Sequence, residues 1–197
     1  MGTAKKSLHQ RGLDLQRQGR QEEAVRCFDG AIKIEPGNLD IVYDRAVSLQ
    51  MAMRFGDAIE AYDLVLRSDP ENFAALVNKG LCYSNPEMSR HEEALMCFDE
   101  ALRISPRDPG VLSLKGYTLD TLGRYREAIM CFDLVLEQSP DDLNVTVNKG
   151  LSLMHLGRYD EAIAYFDRVL EDEPDNLFAL EWRKDAVRMR DRDICSG

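Results

Sequence analysis

The sequence predicts an all-α fold, an α-solenoid of stacked helix–turn–helix repeats, on three observations. A block opens with Lys115-Gly116-Tyr117, passes through Leu122-Gly123-Arg124-Tyr125, Glu127-Ala128-Ile129 and Phe132-Asp133, and closes at Pro140. It recurs 34 positions later as Lys149-Gly150, Leu156-Gly157-Arg158-Tyr159, Glu161-Ala162-Ile163, Phe166-Asp167 and Pro174, and weaker copies close on Pro106, Pro70 and Pro36. Each copy carries two apolar runs at helical spacing, separated by glycine and ended by proline. A fixed period of this size marks a repeat array, because one unit cannot bury its apolar face without a neighbour.

In order, the repeats span residues 5–38, 39–72, 73–108, 109–142 and 143–176. The first helix of a repeat is read from Leu76, Gly80 and Tyr83 or Leu112, Gly116 and Leu119, and the fifth copy opens with the polar Thr146. The second helix presents Ala128, Ile129, Phe132, Val135 and Leu136 on one face. Gly19, Gly123 and Gly157 sit between the two, where positive φ ends a helix. The third repeat is two residues longer, and the excess falls in the turn Ser84–Ser89. After each second helix comes a proline, which cannot continue a helix. Two residues on stands a cap, Asn38, Asn72, Asp108, Asp142 or Asn176, each contributing about 1 kcal/mol. Pro109 follows Asp108 at the first helical position, where its missing amide costs nothing. A last helix at 177–192 has no partner. Leu177, Leu180 and Val187 are expected to cover the fifth repeat, and Lys184, Asp185, Arg188 and Asp191 to face water.

Three slots complete the packing scheme. Gly12, Ala46, Gly80, Gly116 and Gly150 share one on the first helix. Ala24, Ala58, Ala94, Ala128 and Ala162 share one on the second, beside Phe28, Tyr62, Phe98, Phe132 and Phe166. Small residues facing each other would let the helices approach while the rings fill the adjoining space. Each aromatic is followed by an aspartate, and each first helix carries a basic residue at one slot. The unpartnered last helix keeps that basic residue as Arg183, which favours pairing between repeats: Asp29 with Arg45, Asp63 with Lys79, Asp99 with Lys115, Asp133 with Lys149 and Asp167 with Arg183.

Composition bounds the function. A formal charge of −10 opposes a nucleic-acid or anionic-membrane partner, since both require a basic face. No apolar run approaches the roughly 20 residues of a membrane span. Met1–Lys6 lacks the apolar core of a signal peptide and has Lys6 where a myristoylation signal has Ser or Thr, so the expected location is the cytoplasm. Cys27, Cys97 and Cys131 occupy one slot of separate repeats, Cys82 another helix and Cys195 the tail, which predicts reduced, largely buried thiols.

With small, small, aromatic and proline slots in that order over 34 residues, nearly the whole chain resembles the tetratricopeptide repeat family, in wording closest to its archaeal and bacterial members. The family's Trp slot holds Leu8, Val42, Leu76, Leu112 and Thr146, and the residue before its glycine is Arg11, Arg45, Lys79, Lys115 or Lys149. The resemblance implies a right-handed superhelix that binds peptides or proteins along a concave surface lined by first helices. The slots that would line it hold Tyr43, Asp44, Val47, Val77, Asn78, Leu81, Leu114, Tyr117, Val147, Asn148 and Leu151, with Trp182 where the groove finishes. Apolar surface with two asparagines suits an extended peptide, whose backbone the amides can bond.

Chaperone-tail recognition, which in this family uses Lys, Asn, Asn, Lys and Arg over three repeats, is not expected. The three windows read His9, Leu13, Asp44, Ala74, Asn78; then Tyr43, Val47, Asn78, Gly110, Leu114; then Val77, Leu81, Leu114, Asn144, Asn148. The chain is read as non-catalytic and without cofactor or metal. His9, His91 and His155 are spread over separate repeats, and His91-Glu92-Glu93 lacks a second histidine. The expected function is a scaffold or adaptor for a peptide or protein; the alternative is a homo-oligomeric assembly module with Trp182 as an anchor.

Overall fold

A computed structural model describes residues 7–196, with side chains to residue 192. The leader reading of Met1–Lys6, the first repeat's opening Lys5 and the Cys195 thiol lie outside the described residues. Among those described there are helices and no strand. The chain forms two compact units, Met1–Ile104 and Ser105–Gly197. The first holds α1 (Leu8–Arg17), α2 (Gln21–Ile34), α3 (Leu39–Met51), α4 (Phe55–Ser68), α5 (Phe73–Ser84) and α6 (His91–Ile104). The second holds α7 (Pro109–Thr121), α8 (Tyr125–Gln138), α9 (Leu143–His155), α10 (Tyr159–Asp172) and α11 (Leu177–Ser196). Within each unit every helix packs on the next, so the pairs stack as a solenoid does. Among the described residues no helix is long and apolar enough to cross a membrane.

The punctuation follows the sequence. Gly19, Gly123 and Gly157 adopt φ of 73–74°, and the same slot is held in left-handed conformation by Met53 and Ser89. The residues before Pro36, Pro70, Pro140 and Pro174 leave the helical region, as Asp69 does at φ −133°, ψ 83°. The caps Asn72, Asp108, Asp142 and Asn176 each accept the amide three residues on, at 2.9–3.0 Å. Asn38 does not, and α3 has no side-chain cap, although its Nδ2 donates to Glu35 Oε2 at 2.9 Å as those of Asn72 and Asn176 do to Asp69 and Glu173. Thr146 is fully buried and its hydroxyl donates to the Asp142 carbonyl at 2.8 Å, so a polar residue is satisfied in an apolar slot.

The five aromatics and the five alanines of the second helices are all completely buried. The glycines, however, face the rings. A Cβ added at Gly12, Gly80, Gly116 or Gly150 would come within 2.4–2.7 Å of the ring of Phe28, Phe98, Phe132 or Phe166. Close approach is therefore between ring edge and helix backbone, not between two small side chains.

The cap helix differs from expectation. Leu177 is 77% exposed and Leu180 43% exposed, while Ala179 and Ala186 are fully buried and Val187 is half-buried. Leu180 falls at the register of Thr146, which the second helix of a repeat covers; no second helix follows α11 among the described residues. The face of α11 that does pack turns Trp182 and Ala186 toward Val147, Leu151 and Leu153.

Four rungs of the predicted ladder lie within a unit, and all four are made. Asp29 receives Arg45 and Asp63 receives Lys79, both at 2.6 Å, while Lys149 pairs with Asp133 and Arg183 with Asp167. The pairing runs between repeats. Asp99 and Lys115 belong to different units.

Candidate functional site on the first helices

Eleven of the twelve predicted lining residues are half-buried and Tyr117 is exposed, as a surface built of helix flanks requires. In the first unit Asn78 of α5 donates from Nδ2 to the Tyr43 hydroxyl of α3 at 2.8 Å. In the second unit Asn148 of α9 donates to the Tyr117 hydroxyl of α7 at 2.9 Å, and also to the Asn144 carbonyl at 2.6 Å. The amide nitrogens are thus engaged inside the protein. The Asn oxygens and the Tyr hydroxyl hydrogens have no partner among the described residues, so each pair presents one acceptor and one donor side by side. Burial raises the pKa of both tyrosines; for Tyr43 the Asn78 hydrogen bond opposes and the Asp44 charge adds to it, and for Tyr117 the Asp142 charge adds. Both phenols stay protonated, which keeps the donors available.

Asp44 is tied down by His9, which shares its window of groove slots. His9 Nε2 of α1 lies 2.7 Å from its carboxylate, and Gln16 reaches the Asp44 carbonyl at 3.3 Å. The carboxylate therefore braces α1 on α3.

Val147, Asn148, Leu151 and Trp182 come together around a hollow of about 280 Å³ between α9 and α11. Leu143, Asn144, Glu173, Asn176 and Phe178 complete its lining. Phe178 is 71% exposed. It stands 34 positions after Asn144, so extending the groove slots into the last helix would have found it. Val47, Val77, Leu81 and Leu114 add apolar surface without joining either hydrogen-bonded pair. Among the described residues no group of three or more His, Cys, Asp or Glu could hold a metal ion. Cys27, Cys82 and Cys97 form no disulfide among the described residues, and burial pushes the Cys82 thiol up to about 12 and Cys97 to about 11.

Two curated plant proteins match short stretches of the chain. Each is a probable UDP-N-acetylglucosamine–peptide N-acetylglucosaminyltransferase SPINDLY: that of Hordeum vulgare is 35% identical over 65 residues, 33% of this chain, and that of Arabidopsis thaliana 31% over 81 residues, 41% of this chain. This chain spans only 7% and 8% of their lengths. Among solved structures, a tetratricopeptide repeat protein from Parabacteroides merdae superposes with TM-score 0.84 at 22% identity, covering 92% of this chain and 72% of that one. MamA from Desulfovibrio magneticus gives 0.80 at 19%, covering 86% of this chain and 95% of that one. YrrB, a repeat protein with an unusual peptide-binding site, gives 0.77 at 20%, with 90% of each chain covered. These likenesses are of fold. The tetratricopeptide repeat family model matches residues 9–72, 43–109 and 113–176. With that match, two helices per repeat and the glycine–aromatic contact in four of them, the chain belongs to the tetratricopeptide repeat family.

Proposed function

We propose that the chain is a non-catalytic, cytoplasmic interaction scaffold that holds an extended peptide segment of a protein partner along its first helices. The observation that carries this reading is the Asn–Tyr pair, Asn78 with Tyr43 and Asn148 with Tyr117. An extended backbone offers N–H and C=O groups, which an unpartnered amide oxygen and phenol hydrogen complement. Val147, Leu151, Phe178 and Trp182 supply a hollow of the size of one bulky side chain. YrrB, similar in fold, supports the class.

The test selects peptides from a displayed library and measures them calorimetrically on the wild type and on Asn78→Ala/Asn148→Ala. Binding should weaken tenfold or more while stability changes by about 1 kcal/mol or less per site. Equal affinity for the double variant, or a library that yields no binder, sinks the reading. Trp182 is the chain's single tryptophan, so its emission reports seating at the α9–α11 hollow.

A second reading, self-association, is favoured by one observation: Leu177, Phe178 and Leu180 expose apolar surface together at the start of α11. Light scattering at two concentrations separates the two, because the scaffold reading expects a monomer at both.

A further inference from the structure

The edge formed by the inter-repeat loops and second helices carries an ion pair at two junctions and a side chain-to-backbone bond at a third. The loop residue Glu71 meets Arg103 of the next second helix at 3.5 Å. One junction on, the charges are exchanged: Arg107 meets Glu137 at 2.8 Å. At the next, Asp141 and Glu171 are both acidic, and Arg168 instead donates to the Pro140 carbonyl at 2.5 Å. The first junction has neither device. The loop slot is Gly37, and the residue matching Arg168 is Leu64. Arg67, which matches Arg103, reaches only the Asp63 carbonyl at 3.3 Å.

Here a hollow of about 760 Å³ opens, with Ile32, Pro36, Leu39, Val42 and Leu64 as its apolar lining. Lys33 stands on its rim, and neither Lys33 nor Arg67 has a carboxylate partner among the described residues; Asp29, also lining it, is taken by Arg45. What the junction lacks is a carboxylate beside aliphatic groups. We propose that this groove is a second peptide-binding site, separate from the first-helix surface, for an acidic segment with aliphatic side chains next to Glu or Asp. The ligand's carboxylate takes the place that the Glu71 side chain fills one junction on, and its aliphatic groups cover Leu64 and Ile32.

The chain allows a direct test, since a Cβ at Gly37 meets nothing within 4 Å and its φ lies outside the left-handed region. Gly37→Glu should bridge to Arg67 and close the groove, whereas Gly37→Ala should leave it open. The probe is a fluorescein-labelled octapeptide alternating leucine with glutamate, read by fluorescence anisotropy against a version with lysine in place of glutamate. The acidic peptide should bind wild type and Gly37→Ala alike, at least tenfold tighter than the lysine peptide. It should bind Gly37→Glu and Lys33→Glu at least tenfold more weakly, with both variants melting cooperatively. Asn78→Ala/Asn148→Ala should bind it as wild type does, which separates this site from the first-helix surface. Equal binding of the two peptides, undiminished binding to Gly37→Glu, or loss on the asparagine variant overturns the proposal.

Discussion

Gly116 lies against the ring of Phe132, so closely that a Cβ there would stand 2.4 Å from Cε1 of the ring. Phe132 is completely buried and cannot swing aside into solvent. Gly116→Ala is expected to destabilise the second unit by about 1–3 kcal/mol, and Gly116→Leu by more. A thermal melt unchanged from wild type would show that the ring can yield. In the second repeat the slot is Ala46 opposite Tyr62, whose hydroxyl donates to Gln50 at 2.7 Å, so Ala46→Gly is expected to bring no comparable gain.

Met53 offers the opposite test. It holds φ of 60° at the slot where Gly19, Gly123 and Gly157 hold 73–74°. An L side chain in that conformation costs about 1–2 kcal/mol. Met53→Gly should therefore stabilise the chain by about 1 kcal/mol, and Gly157→Ala should cost a similar amount although a Cβ there meets nothing within 4 Å. Denaturant midpoints of the two variants, moving in opposite directions, check it.

Lys149 supplies a pH dependence. Burial opposes its charge, and the bonds to Asp133 and Tyr165 outweigh that, holding its pKa above the ordinary 10.5. The sign follows: its contribution is complete below the unfolded value and is lost as pH rises through the folded one. Stability should fall in alkali above about pH 10.5, and Lys149→Arg should reduce that part of the fall, as measured by denaturant titration across pH. At neutral pH, Asp133→Asn should cost about 1 kcal/mol or less from the half-exposed pair.

Cys82 is fully buried on α5, and its thiol is raised to about 12 by burial first and by Cys97 second. The thiolate is the reactive form, so native Cys82 should resist alkylation by iodoacetamide at pH 8.5 while the unfolded chain reacts. Mass spectrometry of the modified peptide decides it; rapid native labelling would mean that the helix pair opens locally. Because the folded value is raised, this thiol's contribution to stability is present below about pH 9 and declines as pH climbs toward 12.

The repeat boundaries, the positive-φ glycines, four of the five caps and the Asp-to-basic rungs within units could all be read along the chain. Each depends on residues whose spacing is carried by helix geometry or by the repeat itself. That the residues of the proposed groove stand on the first helices, with Trp182 on the last, was readable for the same reason. That the Asn78 and Asn148 amides turn their nitrogens onto Tyr43 and Tyr117 was not, because spacing places a residue on a helix without choosing its rotamer or its neighbour's.

What the sequence by itself determined is the periodic part: two helices per repeat, their ends, and the slots each side chain occupies. A period is a statement about equivalent positions, and stacking converts it directly into packing. What only the tertiary structure decided is where the equivalence breaks. Asn38 leaves α3 without a side-chain cap, although its Nδ2 donates to Glu35 just as those of the capping Asn72 and Asn176 donate to Asp69 and Glu173. Leu180 is left uncovered because no second helix packs on α11 among the described residues, and Gly37 leaves open a junction that Glu71 and Arg107 close elsewhere. Such local departures depend on which side chains meet across helices, and contact in three dimensions sets that, not distance along the chain.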